Sequence, residues 1–268
     1  MKATLEIAVN VFRESVRDKV LYNLVLFAVL MMAASYLIGQ LTAGQDVKII
    51  KDLGLAATLI FGLFIAVFIG IGLVSKEVER RSIYSLLAKP IERAHVVLGK
   101  YLGLALTLVV NVSIMTAALY VVLAYMRWGV DPAVERAWDA PALDPRLLQA
   151  ILLILVELLV VTAIALFFST FSTPLLSAAL TFGLVVAGHF SADLRNFQDV
   201  VESGFAQRIA RGVYWVLPNL AQFDVKAQVV HGQTIPAGYL ALTTGYALLY
   251  VAMLLVVACF VFSRRDFK

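Results

Sequence analysis

Glu157 is the acid best placed to do chemistry in this sequence, because it stands in the middle of the apolar run LLQAILLILVELLVVTAIALFF. A carboxylate there has two readings. It could carry protons or cations across a bilayer, or it could be held by a hydrogen bond within a helix bundle or across a dimer interface. An acid at the bilayer centre costs about 2.5 to 3.5 kcal/mol on insertion scales, so in either case it must face protein or water. No acid or base from another apolar run is expected to partner it, and Asn111 in the run 102–126 is the polar candidate.

Other chemistry is thinly supplied. His95, His189 and His231 are scattered over one inner and two outer positions, with no carboxylate or cysteine at metal-ligand spacing, so no metal site is expected. Cys259, the single cysteine, lies within an apolar run and excludes an intrachain disulfide. There is no G-x-x-x-x-G-K-[ST] phosphate loop, so the chain is not expected to cradle ATP, and no H-E-x-x-H. Without a pair of catalytic groups in the runs, no enzyme and no bound cofactor are expected.

The second segment of interest is SKEVERRSIYSLLAKPIERAHVVLGKY, residues 75–101. Ile83, Leu86 and Leu87 recur at helical spacing among charges, and Pro90 denies that helix a backbone donor and should end it. Arg93 and Lys100 flank the return into the apolar phase. Such a short amphipathic helix could rest among lipid headgroups, or could present Tyr84, Leu87 and neighbouring arginines to a groove on a soluble partner.

The elements that position these residues follow from composition. The chain is 62% apolar and 15% charged over 268 residues, with a mean hydropathy of +0.90, which is far from soluble composition. A helix rises about 1.5 Å per residue, so about 20 residues cross about 30 Å of hydrocarbon. Six runs qualify, at 20–39, 53–74, 102–126, 147–168, 175–190 and 239–262, the fifth being short. The expected fold is therefore all-α and polytopic, a single membrane domain over 1–268.

Charge orients it. With the N-terminus in the cytoplasm, thirteen of the 22 basic residues lie on the inner side against seven acids, and nine on the outer side against ten acids. Both termini are then cytoplasmic. This topology explains the net charge of +4 better than nucleic-acid binding, which needs a basic face on a folded domain. Residues 1–23 carry charges throughout and do not read as a cleavable leader.

Two amphipathic segments flank the runs. Leu5, Ala8, Val9, Phe12, Val16 and Val20 form a stripe that should lay an N-terminal helix, 1–19, along the cytoplasmic interface. In the outer loop 191–238, Leu194, Phe197, Val201, Phe205, Ile209 and Val213 form another stripe before Trp215, and Pro218, Gly232 and Pro236 should leave the remainder irregular. The loop 127–146, with three prolines, is too short for a separate outer domain.

The opening FRESVRDKVLYNLVLFAVL, the inner KEVERRSIYSLLAKPIERAHVVLGKYLG and the late LPNLAQFDVKAQ together resemble the six-span permeases of ABC-2 type transporters, in the small subgroup without a large outer domain. The positions matching the family's middle motif are Glu77 and Glu79, Arg80 and Arg81, Ser82, Leu86 and Leu87, Pro90, Arg93, and Gly99 with Lys100. Many relatives have glycine-threonine where Arg81 and Ser82 stand.

The resemblance implies that the segment around Ser82 to Arg93 is a coupling helix seated on a cytoplasmic ATPase, with Ile83 and Tyr84 on it, and that ATP and magnesium are bound by that ATPase. It implies a dimer of permeases, from two copies or a paralogue, over two ATPase subunits in a prokaryotic inner membrane. It gives no substrate. Two further functions stay open: an ion-driven transporter using Glu157, and an ATPase-linked relay of force or signal to an outer partner.

Overall fold

The structure, a computed structural model, describes residues 2–40, 46–79, 93–136, 138, 140–191 and 217–264. Among these residues it is all-helical, without strands. In chain order the helices are α1 (Lys2–Val16), α2 (Lys19–Gln40), α3 (Asp46–Glu79), α4 (Arg93–Trp128), the single turn α5 (Pro132–Glu135), α6 (Leu147–Ser169), α7 (Pro174–His189), α8 (Lys226–Val230) and α9 (Ala237–Arg264), with a 3₁₀ turn at Ala221–Phe223. Five of them, α2, α3, α4, α6 and α9, are long and apolar enough to cross a membrane, while α7 is a shorter apolar helix.

Helix α6 is the axis of the bundle. It is the most apolar of the five, and Leu153, Leu158, Val160, Val161 and Ile164 on it are fully buried. Helices α3, α4, α7 and α9 surround it, and α2 covers the outer side of α3 and α4. Leu119 of α4 is seated against Gly54 of α3, and Leu158 of α6 against Gly62, each filling a notch that any side chain on the glycine would occupy. Dispersion in such close seats drives helix association where lipid tails are as apolar as leucine. The opposite faces of α2 and α9 stay open, with Leu26 and Leu249 exposed, as a lipid-facing surface must be.

Three buried threonine hydroxyls return to their own helices. Thr58 donates to the Gly54 carbonyl at 2.8 Å, Thr107 to Gly103 at 2.9 Å and Thr162 to Leu158 at 2.7 Å. No water or partner helix is then needed to satisfy them.

Helix α1 is also seated on protein, by a face beside the expected stripe. Gly99 and Gly103, four apart on α4, form a groove in which α1 lies: a Cβ at Gly99 would stand 2.7 Å from Ile7 and 2.9 Å from the Thr4 carbonyl, and one at Gly103 would stand 2.6 Å from the Ala8 carbonyl. The contacting line is Thr4, Ile7, Ala8 and Val11. Of the expected stripe Ala8 joins this contact, while Leu5 and Val9 remain exposed. The small and compact residues pack against protein, which leaves the bulkier stripe for the bilayer. Asp18 then caps α2 by accepting from the Val20 amide at 2.9 Å, which fixes the turn between the first two helices.

Helices α3 and α4, at 34 and 36 residues, are each about 50 Å long and overshoot a hydrocarbon layer of about 30 Å. Helix α3 continues past the expected end at Val74 to Glu79, and α4 begins at Arg93, before the expected Leu102. Lys100, expected at the membrane boundary, is buried within α4's packing.

If the α1 seat is set by these glycines, Gly103→Leu should destabilise the detergent-extracted protein by about 1 to 3 kcal/mol through overpacking. Gly183→Leu, placed in open space on α7, should stay within about 0.5 kcal/mol. Equal shifts in melting temperature for the two would remove the seat as the cause.

Candidate functional site

Two regions carried the expectations of function. The first is the ATPase-docking segment. Arg80, Arg81, Ser82, Ile83, Tyr84, Leu86, Leu87 and Pro90 lie outside the described residues, whereas Glu77 and Glu79 fall in the last turns of α3 and Arg93 is the first residue of α4. The outer stripe from Leu194 to Val213, with Trp215, also lies outside them.

The second is Glu157. It is 2% exposed at the middle of α6, and its Oε1 lies 3.2 Å from Nε2 of His189, the last residue of α7. The expectation that no base from another run would partner Glu157 is therefore overturned. His189 closes the fifth apolar run and reaches Glu157 because α6 and α7 are antiparallel across the turn at 170–173. Asn111 is buried but turns to its own helix, donating to the Thr107 carbonyl at 2.7 Å.

That contact also shows how far α7 extends. Glu157 is ten residues from Leu147, so α7 ends about 15 Å short of the N-terminal end of α6. The space beyond α7 is filled by residues 217–236, here termed the arm. The expectation of irregular chain is corrected: the arm holds the 3₁₀ turn and α8 and is docked, with Leu220, Phe223, Val225, Val229 and Val230 all at most 2% exposed. Its sequence, LPNLAQFDVKAQ, is the late motif singled out above, and apolar residues at that spacing are what a docked segment requires.

Polar contacts fix the arm to α7, to Ser191 just beyond it and to α9. The Leu220 amide donates to the Gly188 carbonyl at 3.1 Å, the Asn219 amide donates to the Tyr246 hydroxyl of α9 at 3.0 Å, and Ser191 donates to Asn219 Oδ1 at 3.3 Å. Gly188 has to be glycine for this approach, since a Cβ there would stand 2.8 Å from the Pro218 carbonyl and 2.9 Å from Leu220. Tyr239 at the start of α9 donates to the Gln222 carbonyl at 2.6 Å.

The arm's far end meets a buried polar cluster. Lys51 of α3 is fully buried and donates to the Pro141 carbonyl at 2.8 Å. Asp144, also buried, accepts from the Arg146 amide at 2.9 Å, while its carbonyl accepts from Tyr120 at 2.9 Å. Arg146 reaches on to the carbonyl of Gly232, whose φ of 72° suits the turn into α9. This cluster was missed in the sequence because Lys51 and Arg146 read there as loop charges. Charges that close an apolar run next to loop prolines were the available signal.

Among the described residues no three histidine, cysteine or acidic side chains are grouped to hold a metal. The arrangement is that of a polytopic helical membrane protein in which a buried Glu157 meets the half-buried His189 beneath a docked arm. Comparison with protein families matches residues 5–267 to the ABC-2 family transporter protein. The chain belongs to this family, and is a transmembrane permease of the ABC transporter class. Comparison with curated proteins found no match.

The arm's seat can be tested directly. Gly188→Val should detach residues 217–230 and raise their rate of limited proteolysis about tenfold, as a loss of about 1.4 kcal/mol in local stability requires. An unchanged cleavage rate would contradict the docking.

Proposed function

We propose that this chain is the transmembrane subunit of an ATP-driven exporter, working as a dimer with a second copy or a paralogue above two cytoplasmic ATPase subunits that bind ATP and magnesium. The observation that supports it most is the family match over nearly the whole chain, joined to two long helices, α3 and α4, that flank the charged segment 80–92. In this reading both termini and that segment are cytoplasmic, the arm is extracytoplasmic, and α7 is the fifth of six crossings in a prokaryotic inner membrane.

Force would enter at the segment from Ser82 to Arg93 when ATP draws the ATPases together. Helix α4 receives it first, and α1, wedged on Gly99 and Gly103, moves with α4. Apolar walls around the bundle suit a hydrophobic cargo such as a lipid or an apolar peptide. A second reading, ion-driven transport, draws support from the Glu157–His189 pair; it requires transport that persists without an ATPase.

Leu87→Ala and Arg80→Ala should each weaken ATPase co-purification, by about thirtyfold in affinity if each removes a docking anchor of about 2 kcal/mol, and lower ATP turnover in parallel. Unchanged binding and turnover in both variants would refute the docking role. Labelling of a cysteine at Ser82 from the outer face would refute the topology.

A further inference from the structure

We propose that helix α1, with the turn that follows it, binds the headgroups of anionic phospholipids. The inference rests on the reading that lays α1 along the membrane surface, and needs nothing of the ATPase. Each residue of a helix is turned about 100° from the last, so the seat of α1 on α4 fixes where its other side chains stand. From the line of Thr4, Ile7, Ala8 and Val11, Leu5 and Val9 lie about a third of a turn round, and both are exposed, Leu5 at 67%. Lys2 and Arg13 come next, about half a turn from the seat. Both are exposed, as are Arg17 in the following turn and Lys19 at the start of α2.

The acids are placed differently. Glu14 lies nearly opposite Leu5 and Val9 on the wheel, Asp18 is engaged in capping α2, and Glu6 alone stands among the bases. Among the described residues the side chains of Lys2, Arg13 and Arg17 have no ion-pair or hydrogen-bond partner, so their charge is not neutralised within the protein. An apolar row bordered by long basic side chains is what a bilayer surface takes up. Leucine and valine enter between the headgroups, while lysine and arginine stretch back to the phosphates. Arg13 and Arg17, four apart, can both fork onto one phosphate.

Two occupants fit the bases alone, an anionic bilayer and an acidic groove on a soluble protein. The exposed apolar pair beside them favours the bilayer. So does the path of the chain, which passes through one turn into α2, where Val20, Tyr22 and Leu26 are exposed on a lipid-facing surface. The opposite side of α1 is wedged on Gly99 and Gly103, in the first turns of α4. Anionic lipid therefore anchors α1 and the head of α4 as one body.

The test places the full chain in nanodiscs of phosphatidylcholine, alone or mixed equally with phosphatidylglycerol. No ATPase or cargo is present, so the outcome stands apart from the transport reading. Hydrogen exchange of residues 2–16 should be slower in the anionic discs by about fivefold or more, since one base near a charged surface contributes about 1 kcal/mol. The slowing should shrink in high salt. Arg13→Gln/Arg17→Gln should exchange like the wild type in neutral discs and lose most of the slowing in anionic ones, whereas Glu6→Gln should enlarge it. Should the double variant fail to fold, as exchange in α6 would report, Lys2→Gln should reduce the slowing in its place. Equal exchange in the two lipids would overturn the proposal and leave the face to a protein partner. A slowing untouched by these substitutions or by salt would overturn it as well.

Discussion

The fold depends on a single constraint: in hydrocarbon, every polar group must find its partner within the protein. The helices answer it for the backbone, and the buried threonines answer it for their hydroxyls by donating to carbonyls one turn back. Glu157 cannot be answered this way. A carboxylate in the middle of α6 needs a donor from another helix, and α7 is placed so that its last residue supplies one.

The same constraint explains why close packing is confined to a few notches. With lipid as solvent, apolar area gives little preference for protein over bilayer, so contact between helices must come from fit. Gly54, Gly62, Gly99 and Gly103 each let a neighbour's side chain or backbone approach where a Cβ would block it. Gly99 and Gly103 have the further effect of joining α1 to the part of α4 that follows the charged segment. The first helix of the chain and the first turns of α4 therefore behave as one body. A displacement of one must carry the other and, across the Asp18 cap, α2.

The long crossings were legible from their apolar runs, because length and composition alone decide whether a helix can span. What failed was the prediction of faces and ends. Helix α1 was recognised from its periodicity, and Leu5 and Val9 of its stripe do stay open, but its seat on α4 through Thr4, Ile7, Ala8 and Val11 was not foreseen, because small residues at close spacing carry no signal of their own. Helix α3 runs on through Ser75 to Glu79 because those residues tolerate helix as well as loop, so charge marked the edge of the bilayer and not the end of the helix. His189 was grouped with outer positions by its place in the chain, and only the antiparallel register of α6 and α7 brings it to Glu157. The motif LPNLAQFDVKAQ was visible, yet Pro218 signalled a turn and not the depth at which Leu220 and Phe223 are buried.

The shortness of α7 ties these features together. A helix that stops beside the middle of α6 leaves its last carbonyls without partners where water is scarce. Here Val185 is met by His189 Nδ1, Val186 by the Phe190 amide and Gly188 by the Leu220 amide of the arm. The arm, the glycine that admits it, the histidine and the acid are thus four parts of one solution to a helix end within the bundle.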